Sequence, residues 1–338
     1  FFVVCNDGLS GIFDRPNFCR GCSSYGYANS LRSLAMYNIR CIMRTFSGLS
    51  PQISYPFLFP VQIPSQMETH LWYMNPDEVK DDGLLSRYMD MLSPYEKENV
   101  LSIKGHQQQK IALLTRSLAR TTLARYDAGQ NFDPKSLKFK KNIYGKPELE
   151  FEDEDFQLHF NISHTSSLIA CGISSNSLIG IDVEEKKRQV KSDVLRLARR
   201  YFADDEVNHL RKITNPECQR QEFIKLWTLK EAFVKALGTG FSAMPFKTFT
   251  IHLKAGSSDM YDEFEIVVDP REHLETGKRK WDLVLMELEG THYASICRER
   301  VEQSGQQMMV SVWKTIPLIH DEGTHHKIRL IGCTTNNF

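Results

Sequence analysis

The chain has 338 residues, of which 41% are hydrophobic, 25% charged and 11% aromatic, and its formal net charge is zero. This composition is typical of a globular protein and excludes collagen-like, wholly disordered and disulfide-scaffold classes. No segment approaches the roughly 18 consecutive apolar residues of a membrane-spanning helix. Because the net charge is zero, neither nucleic acid nor a membrane surface is expected to bind the chain through its overall charge.

Residues 1–66 differ from the rest of the chain. They contain five arginines, nine serines and no lysine, and their only acidic residues are Asp7 and Asp14. Segments rich in arginine and serine and poor in acids are typical of organelle transit peptides. The sequence therefore predicts a transit or disordered leader over 1–66 and a mitochondrial location, with the cytosol or a plastid as alternatives.

The folded part begins with a strand predicted over His70–Met74, and a long helical stretch opens at Pro94. Polar and apolar residues alternate over 158–163, which indicates a half-buried strand. Two further short strands are predicted over 168–174 and 178–184. Because only three residues separate them, the sequence predicts that they form a hairpin.

The second part of the chain contains its most helical segment, 221–237, which ends at Gly238. Four more strands are predicted after it, over 246–253, 263–268, 281–287 and 293–297. Beyond residue 300 the pattern fades and 301–338 stays unassigned. The sum of helices and strands predicts an α+β protein.

The first candidate for a functional site is the strand segment that contains Asp182 and Glu184. Residues two apart on a strand share a face, so both carboxylates project together while Ile181 and Val183 point into a core. Two carboxylates on one face are able to share a cation. The alternative is a solvated strand end that runs into the charged residues 185–188.

The second candidate is a helical face that carries Trp227, Glu231 and Lys235 at intervals of four. The pattern places Glu231 on a mostly exposed face. A third carboxylate near the strand pair would complete an oxygen-only site of the kind that suits magnesium. The alternative is an ordinary helix ion pair between Glu231 and Lys235.

The third candidate is a supply of cationic and polar groups. The lysine-dense segment 135–147 ends in a turn at Tyr144–Pro147, and the strand over 158–163 ends at His164. Lysines, a histidine and a serine at loop ends are the groups that bind a polyphosphate. The alternative is a solvated lysine-rich face.

Taken together, these segments resemble the 4'-phosphopantetheinyl transferases. The segment Gly180-Ile181-Asp182-Val183-Glu184, followed by Trp227-x-x-Lys230-Glu231-Ala232-x-x-Lys235, is similar to the paired signature of that family. Gly145-Lys146-Pro147 and Phe160-Asn161-Ile162-Ser163-His164 match two further family motifs in the right order. Four motifs in order over nearly 100 residues make the resemblance highly specific.

The resemblance covers about residues 69–300, the length of the larger Sfp and aminoadipate-semialdehyde-dehydrogenase-type branch. It implies a monomer of two similar α/β halves in a pseudo-twofold arrangement, over 69–180 and 181–300, with the site between them. It also implies the reaction: transfer of the phosphopantetheine arm of coenzyme A to a serine of an apo acyl carrier protein, releasing adenosine 3',5'-bisphosphate.

The resemblance further implies the roles of individual residues. Asp182, Glu184 and Glu231 would hold Mg²⁺, with Glu231 also the base for the serine proton. Lys235 would steady the transferring phosphate. Coenzyme A would be bound by five residues of the cationic and polar segments, namely Lys141, Lys146, Asn161, Ser163 and His164.

Two other functions and one departure accompany this prediction. The alternatives are an inactive coenzyme A-binding scaffold and a metal-dependent nuclease, because Glu184-Glu185-Lys186 is a Glu-x-Lys. The departure is Asn99, which stands where the branch has a basic residue that contacts the nucleotide. The candidates to replace it are Lys97, Lys104, Arg116 and Arg120.

A basic segment follows the acidic strand. Between Lys186 and Lys212 the chain carries nine lysines and arginines, interleaved with apolar residues. The pattern predicts a basic helix over 190–202 with an apolar strip, and an acidic carrier protein would dock at 186–212. A solvated basic helix is the alternative.

Overall fold

The computed structural model describes residues 58–126, 133–150, 157–254, 262–268, 276, 278–300, 308–324 and 328–334. Apart from 58–66, the predicted leader lies outside the described residues. Within these ranges, no helix combines the length and the hydropathy needed to cross a bilayer.

The first half of the described chain holds three α-helices, one short 3-10 helix (Pro76–Glu78) and five strands. The α-helices and strands are β1 (Glu68–Met74), α1 (Asp82–Met91), α2 (Pro94–Ser102), α3 (His106–Leu123), β2 (Phe139–Lys141), β3 (Pro147–Leu149), β4 (Leu158–His164) and β5 (Ile169–Ser175). The long helix predicted from Pro94 is thus two helices. Gly105, with a φ of 97°, separates them in a conformation that residues with a Cβ rarely adopt.

The second half repeats the alternation of strands and helices. Its elements are β6 (Ile179–Glu185), α4 (Val194–Tyr201), α5 (Asp204–Arg211), α6 (Pro216–Leu237), α7 (Gly240–Ala243), β7 (Phe249–Lys254), β8 (Asp262–Val268), β9 (Trp281–Leu288) and β10 (His292–Glu299). Three strands follow: β11 (Met309–Ile316), β12 (His320–Gly323) and β13 (Ile328–Thr334). The side-chain oxygen of Asn215 caps the start of α6 by accepting hydrogen bonds from two backbone N–H groups. Gly238, at φ 70°, ends the helix.

The strands form two large sheets that share one internal order. The first sheet runs β12-β11-β1-β5-β4 and the second runs β6-β10-β9-β13-β8-β7. The antiparallel sets β1-β5-β4 and β6-β10-β9 have the same connectivity, so the chain consists of two similar halves. The predicted α+β fold with a pseudo-twofold arrangement is confirmed.

The prediction of a hairpin over 168–184 is wrong. β5 pairs with β1 and β4, whereas β6 pairs with β10 in the other sheet. A Cβ added to Gly172 would lie 2.6 Å from Cγ2 of Ile181, so β6 crosses close over the face of β5. The two strands therefore contact through their faces, because both edges of β5 are already paired.

Three apolar clusters divide the interior. One lies between the two sheets and includes Leu71, Ile181 and Val183. Helices α1–α3 pack on the outer face of the first sheet, and α4–α6 pack on the outer face of the second. The molecule is therefore layered as helices, sheet, sheet and helices.

The segment after residue 300, which the sequence analysis left unassigned, is built into both sheets. β11 pairs in parallel with β1, and β13 pairs with β9. The guanidinium of Arg125, after α3, binds both carboxylate oxygens of Asp321 in β12 at 2.6 and 2.9 Å. These strands cover edges of β1 and β9 that would otherwise present unpaired backbone groups.

The closest approach between layers occurs where α6 crosses β6. A Cβ added to Gly180 would lie 2.1 Å from the carbonyl oxygen of Ala232 and 2.1 Å from the backbone nitrogen of Ala236. Both atoms belong to the helix backbone and cannot move without moving α6. Only glycine permits this contact.

We expect Gly180→Ala to lower the free energy of unfolding by about 3 kcal/mol, because the added methyl group forces α6 away from the sheet. Gly83→Ala is the matched control, since its Cβ would meet only the side-chain oxygen of exposed Asp81, at 3.1 Å. That control should change stability by less than about 1 kcal/mol. Denaturant unfolding measures both, and equal stability of the two variants would contradict the packing argument.

Candidate active site

The acidic strand β6 is buried on both faces. Asp182 is 4% exposed and Glu184 is 3% exposed, while Ile181 and Val183 lie in the cluster between the sheets. The alternative of a solvated strand end is wrong, because α6 covers the face from which the carboxylates project. The two carboxylates lie inside the protein.

The third carboxylate is buried as well. Glu231 on α6 is 4% exposed, so the expectation of a mostly exposed helical face is wrong. The reason is the close contact at Gly180, which brings this helix onto the sheet. Asp182, Glu184, Glu231 and Lys235 influence one another electrostatically and form one site.

Asp182 is held by two polar groups from different elements. Its Oδ1 accepts from Nζ of Lys235 at 2.7 Å and from Oγ of Ser163, on β4, at 2.9 Å. Lys235 also donates to Ser163 at 3.1 Å. Glu184 accepts from the guanidinium of Arg188 in the turn after β6. The sequence expectation of a helix ion pair did not foresee that Lys235 reaches across to the sheet.

Burial changes the protonation of the cluster. It raises the pKa of Glu231 to about 8, with Lys235 opposing the rise and the two neighbouring carboxylates adding to it. Burial likewise raises the pKa of Glu184 to about 7, with Arg188 opposing and Asp182 adding. Three carboxylates with so little water cannot all ionise at neutral pH without further positive charge.

The edge of the first sheet meets the acidic strand through side chains. Oδ1 of Asn161 accepts from the backbone nitrogen of Ile181 at 2.8 Å, and Oγ of Ser163 accepts from that of Val183 at 3.3 Å. Both residues lie on β4, and they satisfy backbone donors that face away from β10. We call this junction of β4 and β6 the seam.

Two of the remaining predicted coenzyme A residues, Lys146 and His164, lie next to the seam. Nζ of Lys146 donates to the carbonyl oxygens of Ile179 at 2.9 Å and Ala236 at 3.2 Å, so it ties the turn before β3 to both β6 and α6. His164 ends β4, and burial together with Lys235 lowers its pKa to about 4, which keeps the ring neutral at pH 7. Lys141 is exposed on β2.

The candidates for the missing basic contact at Asn99 have different surroundings. Arg120 is 2% exposed and binds Glu96 at 2.6 Å, together with carbonyl oxygens of the segment after α3. It therefore holds α2, α3 and that segment together. Nζ of Lys97 lies 3.8 Å from Oδ1 of Asp90 on the surface. Arg116 is 4% exposed and donates to the carbonyl of Ala112.

One buried ion pair next to the site was not identified from sequence. Lys230, the neighbour of Glu231, is fully buried and binds Glu206 of α5 at 2.7 Å as well as the carbonyls of Phe246 and Phe249. The role of Lys230 in the signature is therefore structural, because it fixes α6 to α5 and to the segment that leads into β7. The sequence contains a signal that could have identified this burial. Lys230 lies four residues after Leu226, which places it on the inward side of the helix.

The donor set fits a hard cation. Oδ2 of Asp182 and Oε1 of Glu231 are buried without a hydrogen-bond partner, and buried carboxylate oxygens rarely remain so. Oxygen-only donors suit magnesium. As the side chains stand, with Lys235 on Asp182 and Arg188 on Glu184, no group of three His, Cys, Asp or Glu residues in the described ranges is close enough to hold a metal ion.

Comparison with known proteins identifies the family. Residues 80–176 match the family described as 4'-phosphopantetheinyl transferase, N-terminal, and residues 178–294 match the 4'-phosphopantetheinyl transferase superfamily. The chain is 31% identical over 172 residues to a 4'-phosphopantetheinyl transferase of Bacillus subtilis, a match that covers 51% of this chain and 71% of that protein. This chain belongs to the 4'-phosphopantetheinyl transferase family.

More distant relatives extend the match. The chain is 21% identical over 225 residues to the human L-aminoadipate-semialdehyde dehydrogenase-phosphopantetheinyl transferase, covering 64% of this chain and 70% of that protein. The crystal structure of the Thermotoga maritima holo-[acyl-carrier-protein] synthase aligns at 22% identity and a TM-score of 0.26, over 36% of this chain and 62% of that chain. The two family matches meet between β5 and β6, where the chain passes from one sheet to the other.

Proposed function

We propose that this 4'-phosphopantetheinyl transferase moves the phosphopantetheine arm of coenzyme A to a serine of an apo carrier protein at the seam, and that the reaction depends on Mg²⁺. The observation that carries the metal dependence is the pair of unpartnered buried oxygens on Asp182 and Glu231. The sequence relatives carry the reaction itself. No comparable support exists for the nuclease alternative.

Asp182, Glu184 and Glu231 are the residues that would hold the cation. When bound, Mg²⁺ supplies positive charge to the pyrophosphate and stabilises the leaving phosphate as its bond breaks. The protein contributes oxygen donors that are fixed by β6 and α6 and largely shielded from water. Such fixed groups need little rearrangement as charge develops.

Lys235 is the residue that would steady the transferring phosphate. Its ammonium group lies at the centre of the site, within hydrogen-bonding distance of Asp182 and Ser163. A phosphate oxygen would compete with the Asp182 carboxylate for the donors of this ammonium group. Lys141, Lys146, Asn161, Ser163 and His164 would bind coenzyme A along the same seam, with Asn161 and Lys146 also holding the seam together.

Glu231 would accept the proton of the attacking serine. Without a cation, burial raises the pKa of Glu231 to about 8, so this carboxyl would act as a base only once added positive charge in the site ionises it.

We expect Glu231→Gln to lower the transfer rate by about 10² to 10⁴, the usual contribution of a general base. The folded carboxyl keeps its proton up to about pH 8, whereas the unfolded one ionises near pH 4.5. The parent protein thus loses stability as pH rises through that interval, and glutamine removes the loss. Glu231→Gln should therefore melt no lower than the parent at pH 7 without metal.

The assay is incubation with coenzyme A and an apo carrier protein, with and without Mg²⁺ or a chelator, followed by mass measurement of the carrier. Transfer that is unaffected by chelation would remove the metal from the proposal. Full turnover by Glu231→Gln would remove this residue from the base role. A carrier that gains no mass with Mg²⁺ present would favour the inactive scaffold.

The carrier protein is proposed to dock on α4 and the turn before it. The predicted basic helix is shorter than expected, because it spans only Val194–Tyr201. Its apolar residues pack inward against the core of the second half, so its outer surface is basic and lacks the predicted apolar strip. The exposed groups there are Lys191, Arg196, Arg199 and Arg200. Arg188 links this surface to Glu184.

We expect the double variant Arg196→Glu and Arg200→Glu to slow association with an acidic carrier about tenfold at low salt and to weaken its salt dependence, since rim charges act mainly on encounter. Affinity for coenzyme A should stay unchanged. The control reverses two exposed charges of the first half, Lys80→Glu and Arg87→Glu, and should keep the parent association rate. Loss of coenzyme A affinity with normal carrier binding would assign α4 to the nucleotide instead.

We further propose that the protein is directed to mitochondria, on the composition of 1–66. We also propose that it is a monomer, as its resemblance to the larger branch of the family implies. A fluorescent reporter fused behind residues 1–66 should colocalise with a mitochondrial marker. Replacing the five arginines of this segment by glutamine should abolish import. A reporter that enters plastids, or that stays diffuse in the cytosol, would contradict the mitochondrial assignment.

A further inference from the structure

Ser295 lies beside the acidic site on the neighbouring strand. In the register of β10 against β6 it stands directly opposite Asp182, and directly opposite residues of paired strands project from the same face. It is 1% exposed. Its neighbours on that face, Tyr293 and Cys297, belong to the core under α6.

The hydroxyl of Ser295 has no hydrogen-bond partner. Leaving a buried hydroxyl unsatisfied costs about 1–3 kcal/mol, whereas an alanine in the same place would cost nothing of this kind. Oδ2 of Asp182, across the ladder, is also unpartnered, as is Oε1 of Glu231 above. Three unsatisfied polar atoms at one junction of β6, β10 and α6 indicate a polar ligand that they share.

The first half shows that the fold does not itself require a polar residue here. β5 is its counterpart of β10, and it presents Cys171 and Ile173 to the helix layer, opposite Trp72 and His70. Both are packed apolar side chains. A serine in the middle of this face of β10 is thus specific to the half that carries the carboxylates.

We propose that Ser295 is a positioning residue of the cation site. Its hydroxyl binds a water molecule shared with Oδ2 of Asp182, and this bond holds the carboxylate ready to receive the divalent cation. The inference rests on the proposed function, because it assumes that Asp182 binds a metal. Ser295 touches neither coenzyme A nor the carrier in this arrangement, so its effect passes through Asp182.

The test compares Ser295→Ala with Ser177→Ala in the full-length protein. Ser177 is 3% exposed, its hydroxyl is also unpartnered, and it lies in the loop between β5 and β6 outside the site. Binding of Mn²⁺ as the probe is followed by electron paramagnetic resonance without coenzyme A. We expect Ser295→Ala to weaken Mn²⁺ binding about tenfold, the usual effect of removing an outer-sphere partner. Ser177→Ala should bind Mn²⁺ like the parent.

Further readouts separate positioning from a general loss of structure. Ser295→Cys keeps the shape of the side chain, with a slightly larger volume, but replaces the hydroxyl by a weak donor, and should lose Mn²⁺ affinity like the alanine variant. Ser295→Ala should need more Mg²⁺ for half-maximal transfer while keeping the rate at saturating Mg²⁺. Its melting temperature should match that of Ser177→Ala.

Three outcomes would overturn the inference. Parent-like Mn²⁺ affinity in Ser295→Ala would leave the metal site intact and exclude this serine from it. An equal loss in both alanine variants would show that any buried hydroxyl has this effect. Absence of Mn²⁺ binding in the parent would overturn the proposed metal dependence first, and the role of Ser295 with it.

Discussion

The backbone contact between Gly180 and α6 is the constraint on which the site depends. With no Cβ in the way, the helix backbone approaches β6 so closely that an added carbon would lie 2.1 Å from two of its atoms. This approach places Glu231 and Lys235 against the face that carries Asp182 and Glu184. The glycine of the signature therefore lets α6 pack closely on β6. This packing places the acidic residues that follow the glycine beside Glu231 and Lys235.

The two halves share one frame, but within the described residues only the second half has a buried acidic cluster. β1 corresponds to β6 in the sheet order, and its face toward α3 presents His70 and Trp72, which both contact the hydroxyl of Tyr126. Aromatic packing thus fills the space that carboxylates occupy in the other half. The strands after residue 300 complete the asymmetry. β11 pairs with the outer edge of β1, and β13 pairs with the outer edge of β9. The corresponding edges of β6 and β4 instead meet each other through Asn161 and Ser163.

The sequence predicted those features that depend on local periodicity. Alternation assigned Asp182 and Glu184 to one face, and the spacing of α6 aligned Glu231 with Lys235. It failed where long-range pairing decides the outcome: β5 and β6 look like a hairpin locally, yet their partners are distant in sequence. The burial of Glu231 was missed for the same reason, because polarity alone suggested an exposed face and only the contact at Gly180 reverses this.

Charge balance supports the proposal that this cluster is a functional site rather than a stabilising network. Two of its three carboxylates have cationic partners, Lys235 for Asp182 and Arg188 for Glu184. Burial nevertheless raises the pKa of Glu231 to about 8 and leaves an oxygen of each of Asp182 and Glu231 without a donor. A network selected for stability would satisfy these atoms or replace them by apolar groups, since incompletely paired buried charges are costly. The unpartnered oxygens would therefore favour a cation, whereas the lysines and hydroxyls of the seam would favour an anion. The proposed substrate phosphate and metal ion would together satisfy both.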